Sequence, residues 1–262
     1  MDLELRTGRV HVEVAGDGPP VLWVHGFPFT GESWGPQAKG IPGYKHIVPD
    51  LPGFGRSAPL AGGQPLTMDV AADVCAQALE KLGIARATAV GLSMGGYVVF
   101  ALVRRAPERV RACVFADTKA GADSEDGKKG REKFAETVLK EGPAWAAAQL
   151  VPKLVVAPTG PVGKQLEAMI VAQPAAAIAA AQRGMAARPD STPTLARIAV
   201  PTLVVCGGAD TLIPPAESKK IVDGVKGARY VEIEGAGHIS NLEKPEAFNE
   251  AVKRFLDEHG RS

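Results

Sequence analysis

The sequence is poor in cysteine, in aromatic residues and in net charge. Of its 262 residues only three are cysteines, 5% are aromatic, and the formal net charge is +1. Cys75, Cys113 and Cys206 lie in apolar stretches without the spacing of a metal or redox site, so we expect buried free thiols. The near-neutral charge excludes the strongly basic surface that nucleic acids and anionic membranes require.

Long apolar runs are also missing. Residues 175–181, as long as any apolar run in the sequence, are too short to span a bilayer, and the N-terminus MDLE has neither the basic region nor the apolar core of a signal peptide. We therefore expect a cytoplasmic monomer or small homo-oligomer whose partner is a small molecule, with no nucleic acid and no membrane involved. A length of 262 residues with 45% hydrophobic content fits one large globular domain.

Short apolar runs alternate with segments of helical periodicity. Residues 67–82, 94–105 and 244–258 show helical spacing, and Thr67 is a suitable N-cap for the first. This alternation predicts an α/β fold, in which helices flank a mostly parallel sheet. The runs that predict strands are residues 9–15, 21–24, 47–48, 88–90, 110–115, 202–205 and 230–233.

The alternation stops between residues 120 and 194. This stretch has no strand-like run and carries an Ala-rich helical pattern interrupted by prolines. Because a structureless loop of this length is improbable inside a compact domain, we predict a helical cap subdomain at 120–194. The core domain would then comprise residues 1–119 and 195–262.

A G-x-S-x-G sequence, GLSMG, occupies residues 91–95. It directly follows the predicted strand 88–90 and directly precedes the predicted helix 94–105. In that context the serine lies on a sharp turn that exposes its hydroxyl, and the following helix N-terminus favours developing negative charge. The motif predicts Ser93 as a nucleophile. The alternative is a Gly-rich turn with an incidental serine.

A serine nucleophile needs a base, and the chain contains five histidines. His238 lies in a Gly-rich loop between the strand at 230–233 and the last helix, which favours it as the general base. We expect His11, His46 and His259 at the surface, and a structural role for His25.

Two aspartates follow predicted strands and could orient the imidazole of His238. Asp210 follows the strand at 202–205 and gives the chain order Ser, Asp, His, which is the order expected when a G-x-S-x-G nucleophile lies between a parallel strand and a helix. Asp117 follows the strand at 110–115 and is the alternative. We predict Asp210 as the acid.

An oxyanion hole would need two backbone N–H groups. The residue after the nucleophile, Met94, and Phe27 in the HGFP loop at 25–28 are the predicted donors. The DLPGFGRS segment at 50–57 is interpreted as a structural turn. No metal or organic cofactor is needed for this chemistry.

These motifs together resemble the α/β-hydrolase superfamily from about residue 10 to residue 256. HGFP at 25–28, DLPGFGRS at 50–57, VGLSMGG at 90–96 and GAGH at 235–238 are similar to 3-oxoadipate enol-lactonase-like hydrolases and cofactor-free haloperoxidase-type esterases. The resemblance implies an eight-stranded, mostly parallel sheet with a helical cap inserted after the sixth strand.

The expected activity is hydrolysis of a carboxylic ester or lactone through an acyl-enzyme at Ser93. The same triad could serve a perhydrolase of the haloperoxidase type or a C–C bond hydrolase, and these remain alternatives. A serine at position 93 argues against dehalogenation, which uses a carboxylate nucleophile on this fold. From another class, a ligand receptor with little turnover is compatible with the motifs.

The substrate pocket is expected at the carboxyl edge of the sheet, beneath the cap. Arg131, Arg183 and Arg188 could hold a carboxylate of an acidic lactone, although we favour solvated charges. Apolar cap residues could line the pocket or pack the cap on the core, and we favour the packing role. These residues are Phe134, Leu139, Trp145, Leu150 and Met169.

Overall fold

The structure is a computed structural model that describes residues 1–260. Its eight strands form one sheet in the order β1-β2-β4-β3-β5-β6-β7-β8. The pairs β1–β2 and β2–β4 are antiparallel, and the other neighbours are parallel, which confirms the predicted α/β fold. The strands are β1 Asp2–Leu5, β2 Gly8–Ala15, β3 Pro20–Val24, β4 Lys45–Pro49, β5 Ala87–Leu92, β6 Val110–Ala116, β7 Thr202–Gly207 and β8 Arg229–Ile233.

Helices cover both faces of the sheet and fill the connections. No helix within residues 1–260 is long and apolar enough to cross a membrane. The helices are α1 Gly35–Gly40, α2 Met68–Lys81, α3 Met94–Arg105, α4 Glu125–Glu141, α5 Pro143–Leu154, α6 Pro161–Val171, α7 Ala175–Ala186, α8 Thr192–Leu195, α9 Pro215–Gly224, α10 Ser240–Glu243 and α11 Pro245–His259.

The predicted helices and central strands lie where the sequence pattern places them. The Thr67 hydroxyl accepts a hydrogen bond from the Val70 N–H, as an N-cap does, and helix α2 begins one residue later. Every residue of β5 is buried, which is typical of a parallel strand covered by helices on both faces. The site described below lies at the carboxyl end of this strand.

Strand β1 has no counterpart among the predicted strands, and it changes the environment of β2. Leu3 of β1 pairs with Val10 of β2, and the Asp2 carboxylate lies 2.7 Å from Nδ1 of His11. His11 is consequently buried, and the prediction of a surface position is wrong.

His46 is also buried, contrary to prediction. The Trp23 indole N–H donates to its Nδ1 at 3.0 Å, and its Nε2 lies 2.9 Å from the Ile41 carbonyl oxygen. The C-terminal His259 is half-buried. Burial lowers the pKa of His46 because the charged imidazolium would lose its hydration.

The connection between β6 and β7 contains α4 to α8 and no strand. Helix α4 packs against α7, and α5 packs against α6. The position after the sixth strand agrees with the predicted insertion. That residues 120–194 form a cap subdomain of their own stays a prediction.

Candidate active site

Ser93 occupies a sharp turn between β5 and α3. Its φ of 53° lies in the left-handed region that non-glycine residues seldom adopt. A Cβ atom on Gly91 would lie 2.3 Å from the Gly95 carbonyl oxygen, and one on Gly95 would lie 2.1 Å from that of Val24. The glycines of the motif are therefore required by close backbone approach.

His238 connects Ser93 to Asp210 by two hydrogen bonds. Its Nε2 lies 2.8 Å from Oγ of Ser93, and its Nδ1 lies 2.7 Å from Oδ2 of Asp210. The imidazole is 1% exposed and the residue Asp210 4% exposed, so water has little access to the pair. A neutral imidazole that donates from Nδ1 presents Nε2 as an acceptor to the serine hydroxyl.

The loop after β7 fixes the Asp210 carboxylate. Its Oδ1 accepts hydrogen bonds from the N–H groups of Leu212 at 2.8 Å and Ile213 at 2.9 Å, which leaves Oδ2 directed at the imidazole. The Ala209 N–H donates to the Ala236 carbonyl at 2.8 Å and joins this loop to the loop of His238.

The alternative acid, Asp117, has other hydrogen-bond partners. Its Oδ1 accepts from the Gly207 N–H at 2.7 Å and its Oδ2 from the Ser240 hydroxyl at 2.6 Å. Burial raises the pKa of Asp117 to about 7. Between the two candidate aspartates, the structure pairs the imidazole of His238 with Asp210.

Met94 and Phe27 both lie beside Ser93. Met94 is the first residue of α3, and N–H groups of a first helical turn have no acceptor within the helix. Phe27 lines the same cavity as Ser93. This arrangement is compatible with their predicted role as oxyanion donors, which stays a prediction.

His25 fixes the loop that carries Phe27. Its Nε2 accepts a hydrogen bond from the Leu51 N–H at 2.9 Å, and its Nδ1 lies 2.9 Å from the Gly26 carbonyl. Burial lowers the pKa of His25, which favours this neutral form. The contacts agree with the structural role expected for His25.

The turn at residues 50–57 is likewise held by internal contacts. Asp50 accepts from the Gly31 N–H at 2.8 Å through Oδ1 and from the Arg56 N–H at 3.0 Å through Oδ2. These contacts agree with its interpretation as a structural turn.

A cavity of about 550 Å³ opens above Ser93 and His238. Phe134, Trp145 and Leu150 line it and also pack against the hydrophobic core, so both roles considered for them from the sequence apply. The ring centroids of Phe27 and Phe134 are 6.4 Å apart, and those of Phe134 and Trp145 are 4.8 Å apart. These rings form one continuous apolar wall.

Leu139 and Met169 do not line this cavity, so the structure does not bring them together with Ser93. Leu139 is 49% exposed to solvent on α4, whereas Met169 is buried within the core cluster. Tyr97, Lys119 and Ile213 do line it and were missed. For Tyr97 a signal was available, because it lies one helical turn after Ser93.

Basic side chains outnumber acidic ones around the cavity. Lys119, Arg131, Lys133 and Lys153 line it together with one carboxylate, Asp123. The remaining charged residues of α4 and α7 are not among the residues that line the cavity. The cavity is therefore positively charged at neutral pH.

Asp123 is itself enclosed by cations. Arg188 binds it through both terminal nitrogens at 2.7 and 2.8 Å, and Arg131 forms a second ion pair with it. Burial opposes the ionisation of Asp123, but the two guanidinium groups hold its pKa well below the usual range.

The expectation that Arg188 is a solvated charge is wrong, because its side chain is 4% exposed. Arg183 lies at the surface and pairs with Glu132 at 2.6 Å. Arg131 is the only one of the three predicted arginines among the residues that line the described cavity.

Within residues 1–260, no cluster of three or more His, Cys, Asp or Glu side chains could hold a metal ion. No residue set is therefore assigned to a metal.

Comparisons with known proteins agree with this fold. Residues 19–245 match the alpha/beta hydrolase fold family model. A thermophilic esterase from Thermogutta terrifontis, with malate bound, is 35% identical with a TM-score of 0.94, and the match covers 99% of this chain and 98% of that one. The enol-lactonase from Burkholderia xenovorans is 26% identical with a TM-score of 0.90, covering 98% and 100% of the two chains.

A bromoperoxidase from Bacillus anthracis is 24% identical, with a TM-score of 0.85 and 95% of each chain covered, and shows likeness of fold alone. The family match extends over most of the sequence, from the start of β3 to the start of α11. The chain therefore belongs to the alpha/beta hydrolase fold family.

Proposed function

We propose that this protein hydrolyses carboxylic esters or lactones, with Ser93 as nucleophile, His238 as general base and Asp210 as the acid that orients it. The observation that carries the proposal is the continuous hydrogen-bonded path from Ser93 Oγ through His238 to Asp210, at 2.8 and 2.7 Å. The strained backbone of Ser93 supports it, because such strain is often found at functional sites.

In the first half-reaction, Oγ of Ser93 attacks the carbonyl carbon while its proton passes to Nε2 of His238. Asp210 stabilises the resulting imidazolium. The N–H groups of Met94 and Phe27 would hold the oxyanion, and each donor is worth about 3–4 kcal/mol of transition-state stabilisation. Collapse of the tetrahedral intermediate breaks the ester C–O bond, and the departing oxygen takes the proton from His238.

In the second half-reaction, His238 accepts a proton from water, and the hydroxide attacks the acyl carbon of the Ser93 ester. The second tetrahedral intermediate collapses, the acid product leaves, and the serine hydroxyl recovers its proton from His238. A lactone gives one product, because its acyl and alcohol parts remain joined.

The cavity supports a substrate with an apolar part and a carboxylate. Phe27, Phe134 and Trp145 offer the apolar wall, while Lys119 and Arg131 contribute positive charge. Two similar structures fit this substrate class, an enol-lactonase and an esterase with the dicarboxylate malate bound. We therefore expect a higher kcat/KM for an ester that bears a free carboxylate than for its neutral methyl-ester counterpart.

The test is a series of p-nitrophenyl esters from acetate to dodecanoate, run beside a panel of lactones, with Ser93→Ala as the control. We expect turnover by the wild type and a rate at least about 100-fold lower in the variant. Residual activity above that level would contradict Ser93 as the nucleophile.

Two further measurements separate the alternatives. Added hydrogen peroxide would divert the acyl-enzyme to a peracid if perhydrolysis were the main reaction. Labelling of Ser93 by a fluorophosphonate without turnover of any ester would favour a receptor with a competent nucleophile.

A further inference from the structure

The carboxyl end of β6 contacts the loops of all three proposed catalytic residues. The Ala116 carbonyl accepts a hydrogen bond from the Ser93 N–H at 2.8 Å. The Thr118 hydroxyl donates to the Ser93 carbonyl at 2.8 Å. Asp117, between them, binds neither Ser93 nor a substrate-facing group, and its side chain is directed to the other two loops.

Each oxygen of the Asp117 carboxylate has one partner at an end of one of those loops, the last residue of β7 and the first residue of α10. Gly207, which donates to Oδ1 at 2.7 Å, lies three residues before Asp210. Ser240, which donates to Oδ2 at 2.6 Å, lies two residues after His238. Asp117 and Ser240 are both 0% exposed, so water cannot replace these bonds.

The backbone of Asp117 is strained as well. Its φ of 46° makes it, with Ser93, one of two non-glycine residues with positive φ in the described chain. Such a conformation persists only where the surroundings hold it, and it is typical of positions where a side chain must be aimed in one direction. Here the side chain is directed at the place where the loops of Asp210 and His238 meet.

We propose that Asp117 is a positioning residue that fixes the loop of Asp210 relative to the loop of His238. The inference rests on the proposed function of that triad. Its action is indirect, because Asp117 sets the distance between Asp210 and His238 through Gly207 and Ser240 and takes no part in proton transfer.

The hydrogen bonds, rather than the charge, carry this role. The titratable groups that face Asp117 are His238, Asp210 and the thiol of Cys206. Asparagine has the shape of aspartate, can accept from the Gly207 N–H and can donate to the Ser240 hydroxyl, which accepts as well as donates. Asp117→Asn therefore keeps both contacts without the charge, whereas Asp117→Ala removes both.

The experiment compares Asp117→Ala, Ser240→Ala and Asp117→Asn with the wild type on one p-nitrophenyl ester, at a temperature where circular dichroism shows each variant folded. We expect kcat to fall about 100-fold in Asp117→Ala and about tenfold in Ser240→Ala, with KM within about threefold. Asp117→Asn should keep kcat within about fivefold, because it retains both hydrogen bonds.

A double-mutant cycle separates positioning from general disturbance of the site. In an Asp210→Asn background the acid no longer orients the imidazole, so adding Asp117→Ala should lower kcat less than about threefold. An equal loss in both backgrounds would overturn the proposal. So would a folded Ser240→Ala with unchanged kcat, or an Asp117→Asn as inactive as the alanine variant.

A readout independent of turnover keeps the two proposals distinguishable. The downfield proton resonance of His238 Nδ1, bonded to Asp210, should be present in wild type and Asp117→Asn and lost or broadened in Ser240→Ala. If the wild type neither hydrolyses esters nor reacts with a fluorophosphonate, the proposed function fails, while this resonance still tests the position of His238. An undisturbed resonance in Ser240→Ala would count against the positioning role of Asp117.

Discussion

The two sides of the cavity differ in how firmly their residues are held in place. On the sheet side, Ser93, His238 and Asp210 are fixed by backbone turns and by short hydrogen bonds to the buried imidazole of His238. On the helical side, α4 and α5 contribute half-buried rings and exposed lysines such as Lys133 and Lys153. The proposed chemistry thus depends on rigid backbone geometry, whereas substrate choice would depend on side chains that can change at little structural cost.

The largest effect is expected on the sheet side. Asp210→Asn should lower kcat by about 10⁴, because an amide favours the wrong imidazole tautomer. Asp117→Asn is the matched control, and steady-state kinetics on an activated ester is the measurement. A loss of this size in Asp117→Asn, with Asp210→Asn nearly unaffected, would transfer the role of acid to Asp117 and remove the contrast between the two aspartates.

The next effect concerns stability on the helical side. Arg188→Met should lower the free energy of unfolding by about 3 kcal/mol, because it leaves the buried carboxylate of Asp123 with one guanidinium fewer. Arg183→Met is the matched control, since its half-exposed pair with Glu132 is worth less than about 1 kcal/mol. Urea denaturation measures both. Equal losses would show that burial does not distinguish these two ion pairs.

A smaller effect, on KM, should distinguish side chains that line the cavity from side chains on the outer surface of the same helical segment. Trp145→Ala should raise KM for an aromatic or long-chain ester about tenfold with little change in kcat, since about 1.4 kcal/mol of apolar contact is lost. Leu139→Ala, whose side chain is 49% exposed and outside the cavity, should leave KM unchanged. A change in Leu139→Ala alone would mean that substrate binds elsewhere on the helical side.

The smallest effect is a dependence of stability on pH that originates in the sheet side. Burial lowers the pKa of His25 and His46, so the unfolded chain binds more protons than the folded one once the pH falls below about 6.5. Stability from these groups is fully present above that pH and decreases on acidification. We expect Tm to fall by roughly a few degrees between pH 7 and pH 5, and to fall less in His46→Gln, as measured by calorimetry. An equal fall in both proteins would exclude His46 as a contributor.

The local pattern of apolar residues was sufficient to predict most strands of the sheet. The predicted runs from residue 21 onward are short and mostly apolar, whereas β1 is a four-residue DLEL segment whose strand character depends on its pairing with β2. The side chains of Ser93, Asp210 and His238 could be selected because each follows a strand, and parallel strands end at one edge of the sheet. Their mutual distances could not be read from the sequence.

Contacts between distant parts of the chain account for the errors. His46 is buried by Trp23, and Arg188 by an aspartate 65 residues earlier, and neither partner is visible in local periodicity. Leu139 and Phe134 lie on the same helix, and composition does not reveal how that helix is rotated about its axis toward the cavity. The residues that line the cavity were therefore less predictable than the proposed catalytic residues.

The helical connection leaves β6 and returns to its neighbour β7, so it is one continuous block of sequence between two adjacent strands. All three proposed catalytic residues lie in the flanks of that block. Recombination between related genes could exchange the block in a single event and so transfer substrate range without rebuilding the chemistry. The upstream junction would have to follow Thr118, because Asp117 and Thr118 contact the loops of Ser93, Asp210 and His238. In a chimera joined two residues earlier, the residues that contact all three loops would come from the other protein.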